Sequence, residues 1–343
     1  MGKKGGKKDK KGKKGAEKPE TMSDDEWALF NNVAELVMNL RGQSPLNTVT
    51  CLIDRGKAAF YLWQHACCSE SKREEIISCG AVDQAKTALK FVDAPERPAC
   101  AGLIHSLSAH NEVTREALCS TKPVYPQPSI NLLPMLIEHI GGNSIATEVS
   151  CVGTLANLMA DAVTRVLVVK EVIQNPTKLI RCMFESVSYE ARSKAAECLK
   201  EGCLIADGKL ADQFQEALIK VGCHVVCLDL LKAQINVSSY DNAQVGAVKY
   251  TAHLVAGVTC LLKHLLKSEE VKRQVTRLGG VNTLAAIVSP AKVWPEEFPL
   301  THEAQAAVAH CLSIITIPYG FNNKFVDQLQ KINTGANSGT KLG

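Results

Sequence analysis

Aromatic residues make up only 5% of this 343-residue chain, too few for the cores of ordinary all-β domains and normal for stacked helices. Long apolar runs are missing too. The longest, Leu254 to Leu262, is stopped by Lys263 and falls well short of the ~20 residues that a membrane helix needs, so no span is expected. The first residues are lysine and glycine where a secretory leader would be apolar, which predicts a cytoplasmic chain with reduced thiols. Net positive charge is absent outside one segment. Residues 1–21 hold nine Lys against one Asp and two Glu, or +6, so the net charge of +4 leaves −2 for the rest.

Catalytic signatures are absent in the same way. A P-loop places four residues between its glycines and follows with Lys-Ser/Thr; Gly202 and Gly208 are separated by five, and Lys209 is followed by Leu210. There is no G-x-S-x-G and no C-x-x-C. His302-Glu303 opens a zincin-like pattern, but Ala306 occupies the position of the second His. Cys223, His224 and Cys227 come nearest to a metal cluster, with Cys198 or Cys203 as a fourth ligand. No spacing marks that fourth ligand, so the pair reads as core cysteine. The nine histidines lie scattered in apolar helices with no acid or nucleophile at a fixed offset. No enzyme, metal or cofactor is expected.

What is present is helical periodicity. Ser23-Asp24-Asp25-Glu26 has the capping-box spacing, and Ser71-Lys72-Arg73-Glu74 repeats it. Leu132, Leu133, Leu136, Ile137 and Ile140 form one stripe. Val152, Leu155, Met159, Ala162, Val166 and Val169 form another. The β-branched run Val163–Ile173 still fits a helix face. Pro123, Pro126 and Pro128, and later Pro290, Pro295 and Pro299, mark two loops where helices stop.

The chain also repeats itself. EEIISCGAVDQAKTALKFV, FQEALIKVGCHVVCLDLLK and VKRQVTRLGGVNTLAAIVS align without gaps on Gly80, Gly222 and Gly279. Ile76, Leu218 and Val275 stand four residues before these glycines; Leu89, Leu231 and Val288 stand nine after. The pattern predicts a helix, a sharp turn that glycine permits, and a second apolar helix. Between the turns fall six alanine-rich helices, at 58–68, 99–110, 150–161, 193–207, 247–262 and 304–316. Their small residues suit close helix approach at the centre of a stack.

Gly80-Ala81-Val82 and Thr154-Leu155-Ala156-Asn157-Leu158 resemble the inter-repeat turn and the Leu-x-Asn-Leu central helix of the armadillo-repeat family. The resemblance covers roughly 25–331 in about six degenerate units. The turn glycine is missing near 119–130, and Asn175-Pro176 stands where another is expected. The resemblance implies an all-α, right-handed helical-repeat solenoid over 23–331, between a disordered basic arm (1–22) and a flexible tail (332–343). It implies that Asn157 bonds the backbone of an extended peptide in the groove; the alternative is that it caps or bridges backbone groups between repeats. The asparagine–tryptophan ladder of nuclear-import receptors is not matched, since none of Trp27, Trp63 and Trp294 lies one turn from Asn157.

The arm carries Lys3, Lys4, Lys7, Lys8, Lys10, Lys11, Lys13 and Lys14, a run that attracts polyanions and has no aromatic residue to stack a base. Candidate polyanions are nucleic acid, ribosomal RNA, an acidic membrane face and the acidic tails of tubulin; a solvated tail or a nuclear-targeting run is the plain alternative. Gly6 stands where N-myristoylation at Gly2 would want Ser or Thr. A solenoid offers broad surface and no closed pocket, so the expectation is a non-catalytic scaffold within a larger protein assembly. Lysine/glycine arms ahead of helical bodies are similar to those of axonemal proteins, which points to cilia and radial spokes. A ribosome- or nucleic-acid-associated factor and an armadillo-type chaperone cofactor are the alternatives.

Overall fold

A computed structural model describes residues 18–42, 53–91, 93–121, 130–142, 144–235, 245–289 and 300–316. Among these residues there are eighteen α-helices and no strand. They fall into six successive units of three. The first unit is α1 (Asp24–Phe30), α2 (Val33–Arg41) and α3 (Arg55–Cys68). The second is α4 (Glu70–Ser78), α5 (Ala81–Leu89) and α6 (Arg97–Ser108), and the third is α7 (Glu112–Cys119), α8 (Leu132–Glu138) and α9 (Ile145–Leu158). The fourth comprises α10 (Ala162–Gln174), α11 (Thr177–Glu185) and α12 (Tyr189–Gly202). The fifth comprises α13 (Gly208–Lys220), α14 (Cys223–Ile235) and α15 (Val245–Leu265), and the sixth α16 (Glu269–Arg277), α17 (Gly280–Ile287) and α18 (His302–Thr316).

The units stack so that like packs on like. The third helices form an unbroken series in which α3 meets α6, α6 meets α9, and so on through α12 and α15 to α18. The second helices make a parallel series, with α2 on α5 and α8, α11, α14 and α17 in succession. The third helices are the six alanine-rich segments. Ala58, Ala59, Ala101, Ala195, Ala196 and Ala304 are all solvent-free in the core. A methyl at the contact lets helix axes close toward the short end of the usual 8–10 Å range.

Two of the closest approaches need glycine. A Cβ on Gly102 of α6 would lie 2.5 Å from the indole of Trp63 on α3. A Cβ on Gly153 of α9 would lie 2.5 Å from the imidazole of His105 on α6. The two large rings therefore pack where the next helix has no side chain.

The repeated turn has the expected conformation. Gly80, Gly222 and Gly279 sit between the first and second helices of their units with φ of 77°, 76° and 82°. That is the left-handed region, which costs an L-residue about 1–2 kcal/mol. Ile76, Leu218 and Val275 before the turn are buried, as are Leu89 and Leu231 after it. Val288 differs, being 40% exposed. Three units lack the glycine; in the first, Asn31 and Asn32 join α1 to α2 and Asn32 caps α2. Pro176 opens α11, its fixed φ suiting a first turn, and Asn175 is extended before it. The α7–α8 junction runs through 122–129, so Pro123, Pro126 and Pro128 lie outside the described residues, as do Pro290, Pro295 and Pro299.

Two helix boundaries differ from the sequence reading. Ser23 caps α1 by accepting from the Glu26 amide at 3.1 Å, as its spacing predicts. Ser71 does not cap: it lies inside α4, whose N-cap is Ser69. Ser69 also ends α3, so the chain turns there with no room for a separate capping residue. The stripe from Val152 to Val169 is not one helix. It is broken at Asp161, whose carboxylate caps α10 through the Val163 and Thr164 amides. The β-branched run does lie in a helix, within α10.

Candidate functional site

The third helices stack side by side; their outward side is exposed mainly toward the ends of the series, on α3, α15 and α18, while α6 has no exposed residue. At the N-terminal end that outward side carries Phe60, 43% exposed, edge-on to Trp63 at 6.0 Å. Trp63 Nε1–H donates to Ser106 Oγ at 3.1 Å, which ties α3 to α6. Exposed Cys67 lies 3.3 Å from the same hydroxyl.

Asn157 continues this seam between α6 and α9. Its amide NH2 donates to Ser108 Oγ at 3.0 Å and approaches the His105 carbonyl at 3.5 Å. Ser108 is solvent-free and donates its own proton to the His105 carbonyl at 2.7 Å. Each of these polar groups in the seam thus has a partner, as buried groups require. Asn157, half-buried, thus joins α6 to α9 across a repeat boundary.

At the C-terminal end the outward side becomes a groove of about 480 Å³ between α12, α15 and the start of α18. Lys194, Glu197 and Lys200 line it from α12, Tyr250 and His253 from α15, and Glu303 from α18. Lys200 Nζ lies 3.1 Å from Glu201 and 3.7 Å from Glu303. Burial pulls the Lys200 pKa down, but these carboxylates, Glu201 first, leave it above the ordinary lysine value. Along α15 the same face continues to Cys260 and His264. Burial, and then the fields of Lys263, Lys267, His310 and Lys200, push the His264 pKa down to about 4.

The cysteines and histidines that came nearest to chemistry in the sequence are structural. Cys223 and Cys227 are buried, and the hydrogen bond between them together with burial drives the Cys223 pKa well up. His224 is turned away, with Nε2 2.6 Å from Gln274 Oε1 on α16. Among the described residues no three of His, Cys, Asp and Glu converge as a metal would require. His65 and His139 each place Nε2 on a carbonyl of a neighbouring unit or helix, Phe30 at 2.6 Å and Leu89 at 2.7 Å. Gly202 and Gly208, the failed P-loop, end α12 and begin α13. The arm lysines Lys3 to Lys14, and Trp294, lie outside the described residues. Lys18, beyond the run, pairs with Asp24 at the start of α1. Among the described residues no helix is long and apolar enough to cross a membrane.

No family model and no curated protein matches this sequence. Solved structures do. A designed armadillo repeat protein superposes with a TM-score of 0.56 at 15% identity, covering 83% of this chain and all of its own. The fold is that of armadillo repeats. A designed armadillo repeat protein in complex with the peptide (KR)4 matches with a TM-score of 0.55 at 15% identity, over 83% of this chain and 100% of that one. A structure described as computationally designed armadillo repeat proteins for modular peptide recognition gives 0.56 at 15% identity, over 82% and 99%. At such identities the likeness is one of fold. The groove charges of an armadillo array must therefore be read from this chain's own residues. Those lie far apart in sequence: Lys200, His264 and His310 come together only because every third helix stacks.

Proposed function

We propose that the chain is a non-catalytic scaffold that docks a protein segment on the outward face of its third helices. The observation that carries this reading is the unbroken stacking of the third helices, with Phe60 and Trp63 at one end of the series and the Lys194–Glu303 groove at the other. A rigid series of this kind spends little conformational entropy when an extended partner lies along it. The likeness to armadillo proteins designed for peptide recognition supports the same use.

A place in the axoneme, docking on microtubule or spoke proteins, is the narrower proposal. The lysine arm supports it, because Lys3, Lys4, Lys7, Lys8, Lys10, Lys11, Lys13 and Lys14 suit the acidic tails of tubulin by long-range attraction. Proximity labelling in a ciliated cell tests it. Enrichment of tubulin, spoke or dynein components is expected, and should fall when the eight lysines are replaced by glutamine. Enrichment of ribosomal or nuclear proteins instead contradicts the axonemal placement and assigns the arm to RNA phosphate.

A further inference from the structure

The two ends of the third-helix face differ in charge. At the C-terminal end, cations come from two helices in the stack, Lys200 on α12 and Lys263 on α15 with Lys267 just beyond it, and the imidazoles of His264 on α15 and His310 on α18 lie beside them. The carboxylates in contact here, Glu201 and Glu303, both lie on Lys200, and Glu201 is shared with Arg165 at 3.5 Å. Lys263 and Lys267 form no ion pair among the described residues. Lys263 is half-buried, Lys267 and His310 are exposed, and the 480 Å³ groove adjoins them through Lys200 and Glu303.

We propose that this end of the face binds an acidic, extended peptide segment, its carboxylates seated against Lys263, Lys267 and His310. The proposal rests on the docking face described above and adds the chemistry of its occupant. Charge complementarity selects the occupant, because clustered cations without their own carboxylates repel one another until an anion joins them. Removing water from the groove strengthens each contact, since Lys200 and Lys263 are already half-buried. His264 reports occupancy: an anion beside it offsets the surrounding lysines and raises its affinity for a proton.

The test is fluorescence anisotropy of the full chain with fluorescein-labelled octaglutamate, octalysine and a Gly-Ser octamer at physiological ionic strength. Alongside it, the His264 ring resonance is followed by NMR through a pH titration. Octaglutamate is expected to bind. The double variant Lys263→Gln/Lys267→Gln should weaken it at least tenfold, while replacing the eight arm lysines by glutamine should cost less than threefold. Octaglutamate should also move the His264 titration upward in the arm variant. An affinity that follows the arm and ignores Lys263 and Lys267, a His264 titration unmoved by peptide, or no octaglutamate binding at all overturns the proposal. Tighter binding of octalysine to the arm variant overturns the charge assignment while leaving the docking face, which photo-cross-linking from third-helix positions tests separately. Thermal unfolding of the double variant, expected unchanged because both side chains reach solvent, separates lost contacts from lost fold.

Discussion

The side-chain amide of Asn157 on α9 donates to the Ser108 hydroxyl on α6 at 3.0 Å, so the most conspicuous polar residue of the third helices holds one repeat to the next. Asn157→Ala should therefore destabilise the fold by about 1 kcal/mol, the net worth of the hydrogen bond lost between the two repeats. Asn157→Asp should be worse, since it turns a carboxylate toward the His105 carbonyl. Chemical unfolding checks both. A variant of unchanged stability that loses a protein partner would instead support the peptide-binding role for Asn157.

Glycine substitutions separate backbone strain from crowding. Gly222 and Gly279 have positive φ and nothing within 4 Å of where a Cβ would stand, so alanine there should cost about 1–2 kcal/mol from conformation alone. Gly208, at the start of α13, has equally open space and no positive φ. Gly208→Ala should be neutral or stabilise by up to about 1 kcal/mol by restricting the unfolded chain. The three variants compared by thermal unfolding give the contrast.

Crowding decides Gly102. Alanine places a methyl 2.5–2.8 Å from three atoms of the Trp63 indole, which must move. A loss of about 1–3 kcal/mol is expected, with a red shift of tryptophan emission as the ring leaves the seam.

Much of this architecture is legible in residue type. The six alanine-rich segments are the six third helices, and the three aligned glycines are three left-handed turns, because small side chains and positive φ leave direct marks in the sequence. The missed boundaries have a different origin. Met159 and Ala162 continue one apolar phase although Asp161 breaks the helix between them, so periodicity alone cannot place the turn. Ser71 has the capping spacing, but the N-cap position falls on Ser69, because one residue ends α3 and begins α4. The fit of Trp63 over Gly102 and the cation cluster around His264 join residues some forty to a hundred positions apart. No local pattern encodes them; the stacking of every third helix does.

Stability should fall with acid. The His264 pKa is held at about 4 by burial and then by Lys263, Lys267, His310 and Lys200. The unfolded ring takes a proton near 6.5, so the unfolded state binds protons first. The contribution is fully present above pH 6.5 and is lost as pH falls toward 4. Allowing for partial solvent screening, it amounts to about 1–2 kcal/mol. His65 and His105 are lowered in the same direction, burial leading in each, and add to the trend. His264→Gln should flatten the profile of unfolding free energy against pH over that interval.

Thiol labelling should be sharply divided. Cys67 and Cys68 are exposed, whereas ten of the described cysteines are buried. Burial pushes the thiols of Cys100 and Cys151 up to about 12, leaving almost no thiolate at neutral pH. Under native conditions Cys67 and Cys68 should react fast and the buried set only on unfolding, as mass spectrometry of alkylated peptides would record.

The docking face is tested most directly by placing a photo-reactive benzoylphenylalanine at Phe60 or His253, both exposed on third helices, and at Val113, 75% exposed on the first helix α7. In cells expressing the full chain, the account predicts the same discrete protein adducts from Phe60 and His253 and none of them from Val113. Adducts confined to Val113, or none from either third-helix position, would contradict a scaffold that works through this face.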